Sequence, residues 1–272
     1  MSTQTIRSNT PAPTDKPSVT VNKSPITNPY REMYELKFRN AQVSHVEQPD
    51  DCFIRVTFTG SDLADFQSKG FDDHLKFLFD DEQGQSTRRD YTPRSFDNAK
   101  QQVTIEFALH ENGKATQWAR QAQPGQSVTL VGPRGSLIIA KEYHWHLLIG
   151  DLTALPAIRR RLEELDGHKQ VKVMLLQPDG CSLEAINHTS TNTSTRTSAQ
   201  ISYFTESEDL TEAVQTFELP KGEGFIWAAG ERQMMATLKQ ILIKEKQHHK
   251  SASRIAAYWQ QGQENVHEEM RE

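Results

Sequence analysis

The hydrophobic pattern of the chain changes period once, around GPRGSLIIAKEY at 132–143, and that change divides the fold. Before it the apolar residues alternate. In CFIRVTFTG (52–60), Cys52, Ile54, Val56 and Phe58 share one face, and Arg55, Thr57 and Thr59 the other. QVTIEFAL (102–109) repeats the pattern with Val103, Ile105, Phe107 and Leu109. A period of two is the mark of a half-buried strand. YELKFRNAQVSHV, LKFLFD, the RRDYTPR segment and SVTLVG supply further strands, and six short strands with turns between them predict a six-stranded antiparallel barrel.

After the change, short apolar runs alternate with helical periodicity. HLLIGD (146–151), VKVMLLQ (171–177), ISYFT, GFIWAAG (224–230) and RIAAYW (254–259) read as strands. LPAIRRRLEEL (155–165), a stretch over 209–217 and ERQMMATLKQILIKEKQ (231–247) read as helices. Strands alternating with helices predict a parallel α/β sheet. In such sheets ligands sit outside the carboxyl ends of the strands, which here carry Gly150-Asp151, Gly230-Glu231 and the residues after Trp259. The expected organisation is a flexible tail over 1–28, a β-barrel domain over 29–142, an α/β domain over 143–262 and a second tail over 263–272. The first tail is rich in Ser, Thr, Pro and Asn, with little apolar surface to offset the entropy of ordering. The polar tract NHTSTNTSTRTSAQ at 187–200 reads as an inserted loop.

Net charge is −5 and the pI about 6.1, which excludes a general nucleic-acid binder while leaving room for a local basic pocket. The two cysteines, Cys52 and Cys181, form no CxxC, so cysteine-built metal sites are not expected. One bridge between them stays open, but two reduced thiols are the plainer expectation. No apolar run approaches the roughly 20 residues that span a bilayer, and the first residues lack the apolar stretch of a secretory signal. The expectation is a soluble cytoplasmic protein without membrane contact.

Three stretches carry chemistry. In RRDYTPRSF (88–96), Arg89 and Tyr91 fall on one face of a strand. A guanidinium grips phosphate through paired hydrogen bonds, and a tyrosine ring lies against a flat heteroaromatic. The plain alternative is an exposed strand whose arginines pair with Asp90 and Asp97. In HENGKATQWA (110–119), Gly113 to Thr116 open a short helix, whose N–H groups suit a pyrophosphate; the alternative is a capped helix closing the barrel. GDLTALPAI (150–158) lacks GxGxxG but offers Thr153 as a cap and Pro156 in a first helical turn.

Taken in order, R-x-Y-T-x-R at 89–94, GKATQWA, GPRGS at 132–136, GDLTALPAI, WAAGE at 227–231 and AYWQQG at 257–262 resemble the siderophore-interacting proteins, a branch of the ferredoxin-NADP reductase superfamily. The resemblance covers residues 30–262. It implies an FAD-binding six-stranded barrel, an NAD(P)H-binding α/β domain and reduction of siderophore-held iron(III), with NADH, NADPH or reduced ferredoxin as donor and no protein metal ligand. It places Arg89 and Arg94 with the FAD phosphates, Tyr91 on the isoalloxazine and Thr92 near its N5. His110, Gly113, Ala115, Thr116 and Trp118 would line the phosphate or adenine end. Asp151, Thr153 and Ala154, with Gly230 and Glu231, would form the nicotinamide side, and Tyr258 and Trp259 would end near the flavin. Trp259 would either cover the ring or substrate opening or pack in the sheet.

For an anionic ferric siderophore the resemblance offers Lys76, with Lys239 and Arg254 as weaker candidates. The chain departs from the family at Leu152, where glutamate is frequent, and at Gln260 and Gln261, where basic residues are frequent. The expected protein is a monomeric ferric-siderophore reductase. The alternatives are a general flavin reductase or diaphorase and a non-catalytic siderophore-binding protein.

Overall fold

The computed structural model describes residues 28–110, 113–165, 170–183, 199–262 and 268–270. The expected N-terminal tail therefore lies outside the described residues except at residue 28, as does most of the polar tract at 187–200. The alternating half forms β1 (Tyr30–Met33), β2 (Phe38–Asp50), β3 (Phe53–Thr59), β4 (Leu75–Asp80), β5 (Ser86–Tyr91), β6 (Pro93–Asp97), β7 (Gln102–Ala108), β8 (Ser127–Val131) and β9 (Gly135–Ile138). One helix, α1 (Lys114–Gln121), interrupts them. β1 and β9 pair as a separate two-stranded sheet.

The other seven strands make one antiparallel sheet in the order β5-β4-β8-β2-β3-β7-β6. Six were expected; the RRDYTPR segment is two strands, broken at Thr92. The two outermost strands, β5 and β6, are joined by that single residue. The step from Tyr91 to Pro93 reaches about 7 Å, whereas the edges of a flat seven-stranded sheet lie roughly 29 Å apart. The sheet must therefore roll until its edges meet. Val56, Phe58, Phe77, Ile105, Phe107 and Leu130 fill the space inside, and Trp118 of α1 packs against Phe77 at a 4.6 Å ring separation.

The second half forms β10 (Trp145–Gly150), α2 (Leu155–Glu164), β11 (Gln170–Leu176), β12 (Gln200–Phe204), α3 (Ser207–Thr216), β13 (Gly224–Glu231), α4 (Arg232–Lys239) and β14 (Ser253–Trp259). A two-residue β15 (Glu268–Glu269) follows. The strand order is β12-β11-β10-β13-β14-β15, parallel through β14, with β15 antiparallel. The expected C-terminal tail thus adds an edge strand where it is described. The long helix expected over 231–247 is α4 only as far as Lys239 and continues as a π-helical turn, Gln240–Glu245. One face of the sheet packs on α3 and α4, and the other on α2 and the rolled sheet. No helix among the described residues is long and apolar enough to cross a membrane.

The seam between the two halves is polar. Helical periodicity would put part of Arg159-Arg160-Arg161 in water, yet all three side chains are buried. Arg159 donates to Glu106 of β7 at 3.0 Å. Arg160 donates to Ser68 and to the Pro93 carbonyl at 2.9 Å each. Arg161 donates to the Ile139 and Ala140 carbonyls at 3.3 and 2.8 Å. Glu106 is itself fully buried and also accepts from Arg55 at 2.7 and 3.0 Å. A buried carboxylate persists only when several donors replace its lost water, and here they come from both halves.

The cysteines are also joined across the seam, contrary to the expectation of two reduced thiols. Cys52 and Cys181 form a disulfide with a Cα–Cα distance of 5.9 Å. They lie 129 residues apart, so only the tertiary fold brings them together.

Candidate active site

β5 builds the first corner of the site. In the register of β4 with β5, Leu75 faces Tyr91 and Phe77 faces Arg89, so Arg89 and Tyr91 do share the inner face. The Tyr91 ring rests on Phe107 at 4.5 Å and meets Phe77 edge-on at 6.0 Å, and the residue as a whole is only partly exposed. Burial against these rings raises its hydroxyl pKa, opposed by the Arg89 charge. The same guanidinium reaches His110, whose pKa is held down first by burial and then by Arg89.

His110 lies directly over Gly113: a Cβ at Gly113 would fall 2.1 Å from the imidazole, so only glycine allows this approach. Gly113 is the N-cap of α1 and supplies no side chain to the first turn. Among the described residues the leading N–H groups of α1 therefore lack a side-chain cap, with a cationic guanidinium within electrostatic reach. That donor set fits a pyrophosphate.

Other residues of the expected phosphate end are placed differently. Ala115, Thr116 and Trp118 are buried. The Thr116 hydroxyl is spent on the Ala108 carbonyl at 3.3 Å, and Trp118 belongs to the aromatic core with Phe58, Phe77 and Phe107. The Ala115 and Trp118 side chains pack into the core of the rolled sheet. Arg94, expected with the flavin phosphates, binds Glu163 of α2, one of its nitrogens lying 3.1 Å away, and approaches Glu106 at 3.6 Å. It is a tie across the seam.

The second corner is where the β5–β6 break meets the end of β14. Thr92, buried at the break, hydrogen-bonds Tyr258 through its side chain. Burial, and then the charge of Asp72, push the Tyr258 hydroxyl far above its usual range. Asp72 accepts from the Trp227 indole at 3.2 Å and pairs with Arg254. Arg254 therefore corrects the sequence expectation: it lies on β14, buried and paired, and its guanidinium faces a carboxylate. Lys76 is exposed on β4, with its ammonium on both oxygens of Asp90 at 2.8 and 3.1 Å. Lys239 lies in the last turn of α4 and is partly exposed.

The third corner is the crossing point of the parallel sheet. From β10 the chain moves outward to β11 and β12, then returns to β13 on the other side of β10. Asp151 stands at that point. One carboxylate oxygen accepts from the Thr153 N–H at 2.9 Å and its hydroxyl at 2.5 Å. The other accepts from the Glu231 N–H at 3.0 Å and the Trp259 indole at 2.8 Å. Burial raises the Asp151 pKa, against the pull of these donors. Asp151 thus ties the ends of β10, β13 and β14 together.

Close approach requires glycine on both sides of Asp151. A Cβ at Gly150 would lie 2.6 Å from the Ala229 carbonyl, and one at Gly230 2.6 Å from the Asp151 carboxylate. Thr153 and Ala154 form the short helical turn after Asp151, with Ala154 buried. Glu231 caps α4, accepting from the Gln233 and Met234 N–H groups at 2.5 and 3.0 Å. Its carboxylate is used within the chain. Trp259 ends β14, paired with Glu231 in the sheet, and is 39% exposed with its indole on Asp151.

Sequence reasoning did not single out Asp72, Asp73, Glu106 or Arg159–Arg161. Asp73 accepts from Ser68 and Gly70 at 3.0 Å each and from Ser136 at 2.5 Å. Its burial raises its pKa to about 6. The one local signal was the run of three arginines beside an apolar helix face.

A rolled antiparallel sheet feeding a parallel sheet defines the ferredoxin-reductase class of fold. A ferredoxin reductase in carbazole 1,9a-dioxygenase superposes with a TM-score of 0.61 at 17% identity, over 83% of this chain and 70% of that one. The profile for the siderophore-interacting FAD-binding domain matches residues 42–88 and 80–137, and that for siderophore-interacting protein matches 143–262. The NADPH-dependent ferric-chelate reductase of Escherichia coli (strain K12) is 32% identical over 253 residues, covering 85% of this chain and 96% of its own. A siderophore utilization protein from T. fusca superposes with a TM-score of 0.78 at 30% identity, over 88% of this chain and 98% of its own. The chain belongs to the siderophore-interacting protein family.

Proposed function

We infer that this protein is an FAD-dependent ferric-siderophore reductase. NAD(P)H supplies the electrons, siderophore-held iron(III) accepts them, and iron(II), which hard oxygen ligands bind more weakly, is released. Bound FAD supplies the conversion of a hydride pair into single electrons. The chain's own residues bind and orient. Arg89 and the uncapped first turn of α1 hold the phosphates; that corner is the observation that carries the reading. Tyr91 offers its ring face and Thr92 a polar group beside it, steadied by Tyr258. Asp151 fixes the strand ends beside which the nicotinamide enters, and Trp259 covers the opening.

Lys76 receives an anionic chelate by exchanging its Asp90 partner. β5 and β6 act as one strand bent at Thr92, which makes the rolled sheet a six-stranded FAD-binding barrel over 29–142. The α/β domain then runs over 143–262. We place the protein in the cytoplasm as a monomer, with reduced ferredoxin as an alternative donor.

An anaerobic visible spectrum tests this reading. NADH or NADPH should bleach the flavin bands, and a ferric siderophore with an iron(II) trap should restore them as iron(II) appears. Bands bleached only by reduced ferredoxin would move the donor to a protein. No flavin uptake would overturn the reading and leave a siderophore-binding protein.

A further inference from the structure

The disulfide joins the turn before β3 to the segment after β11, across the seam between the two halves. Cys52 occupies the turn between β2 and β3. Its N–H is held by Asp50 at 2.9 Å, and its carbonyl accepts from Leu109 at 2.8 Å. Leu109 is followed by His110, the residue over Gly113 at the head of α1. Cys52 therefore holds the backbone just before His110, the residue proposed to lie at the phosphate corner.

Cys181 lies just past β11, at the carboxyl edge of the parallel sheet. Its carbonyl accepts from the Gln177 side chain at 3.4 Å, and the next residue, Ser182, accepts from the Asp51 N–H at 3.4 Å. Both cysteines join the apolar cluster that lines the seam. Besides the bond itself, the described residues hold the 181–183 segment through three long hydrogen bonds, the third from the Cys181 N–H to the Pro178 carbonyl at 3.3 Å, and through partial apolar packing.

We propose that the Cys52–Cys181 pair is a thiol–disulfide modification site, a clasp across the seam whose reduction by a dithiol loosens the grip on FAD. Cys181 is the more exposed partner and takes the attack. A dithiol thiolate bonds to the Cys181 sulfur and expels the Cys52 thiolate. The second thiol of the reductant then displaces Cys181, leaving an oxidised cyclic disulfide and two protein thiols. Two electrons and two protons pass from reductant to protein. In reducing compartments, disulfides that do form are chiefly catalytic or sensing ones, which makes the clasp a sensor there.

The cost of reduction is set by the long loop the bond closes. Loss of the bond frees the 181–183 segment first and then the anchor at Cys52. FAD retention and the thermal midpoint should both fall.

The experiment compares full-length protein, air-oxidised or treated with dithiothreitol, and the Cys181→Ser and Cys52→Ser variants. Thiol titration in denaturant should find no free thiol before treatment and two after. Reduction should lower the thermal midpoint by about 5 °C or more and weaken FAD binding several-fold, measured as flavin fluorescence released on dilution. Cys181→Ser should behave as the reduced protein and no longer respond to dithiothreitol.

The FAD part rests on the flavin reading above, whereas the thiol count and thermal shift do not. Two free thiols in air-oxidised protein would overturn the proposal. So would a bond whose reduction leaves FAD retention unchanged. A protein that takes up no FAD in either state sinks the flavin reading instead, and with it the FAD half of the clasp.

Discussion

The first turns of α1 and α4 begin alike in sequence and end differently in space. Each follows a strand and a glycine, at Gly113 and at Gly230-Glu231, and motif reasoning assigned both to a nucleotide. At α4 the Glu231 carboxylate takes the Gln233 and Met234 N–H groups. At α1 no side chain among the described residues takes them, and the Arg89 charge reaches the His110 ring that covers Gly113. A helix N-terminus attracts an anion through its unpaired N–H groups and dipole. Where the chain supplies its own anion, the site is used up. The difference is the reason the proposed phosphate site is at α1, where no described side chain competes, rather than at α4.

Charge reversal breaks the comparison most severely. Arg89→Glu sets a carboxylate beside the phosphates, and two like charges about 4 Å apart at a partly exposed site repel by roughly 4 kcal/mol. FAD affinity should fall about 100-fold or more in equilibrium dialysis, with little change in thermal midpoint.

A second carboxylate sharpens the lesson by showing the cost of burial. Asp73 also fills neighbouring donors, yet burial raises its pKa to about 6. A raised acid pKa means that the folded state favours the neutral form. The associated stability is fully present below the unfolded value near 4 and is lost as pH rises through about 6. Asp73→Asn should therefore gain about 1–2 kcal/mol over the parent at pH 8 and lose that advantage at pH 4.5. Denaturant titrations at the two pH values check this; an equal difference at both would contradict it.

Emptying the other helix end is milder. Glu231→Ala should cost about 1 kcal/mol of stability, the usual loss for a cap, while FAD affinity stays within about twofold. A large loss of FAD binding would return Glu231 to the ligand site.

The smallest expected effect is ionic. A partly exposed guanidinium–phosphate contact is screened by salt, so FAD affinity should weaken about two- to threefold between 50 and 500 mM salt. Arg89→Ala should flatten that dependence.

The elements themselves were legible wherever one periodicity governed a segment. β3, β7, β13 and α2 lie within a residue or two of their expected bounds. Arg89 and Tyr91 were also legible as face-sharing neighbours, because a strand's period of two is a local property. What distant segments do to each other was not. Nothing near Arg94 says that Glu163 will hold it, and nothing near Trp118 says that Phe77 and Phe107 will surround it.

The three arginines of α2 show the same limit. Their charge reads as solvent-facing until Glu106, Ser68 and the Ile139 and Ala140 carbonyls arrive from the other half of the chain. Arg159→Ala should accordingly cost about 2–3 kcal/mol, since it removes a charged donor from a buried carboxylate, and urea unfolding measures it.

The most direct test of the α1 assignment compares FAD with riboflavin, which has the ring system but no phosphates. Binding of both is titrated to the parent protein and to Arg89→Ala. The account predicts that the variant weakens FAD by about 10- to 100-fold, the worth of one or two charge-assisted hydrogen bonds, and leaves riboflavin affinity unchanged. Equal losses for both ligands, or no loss for either, would show that Arg89 does not hold the phosphates.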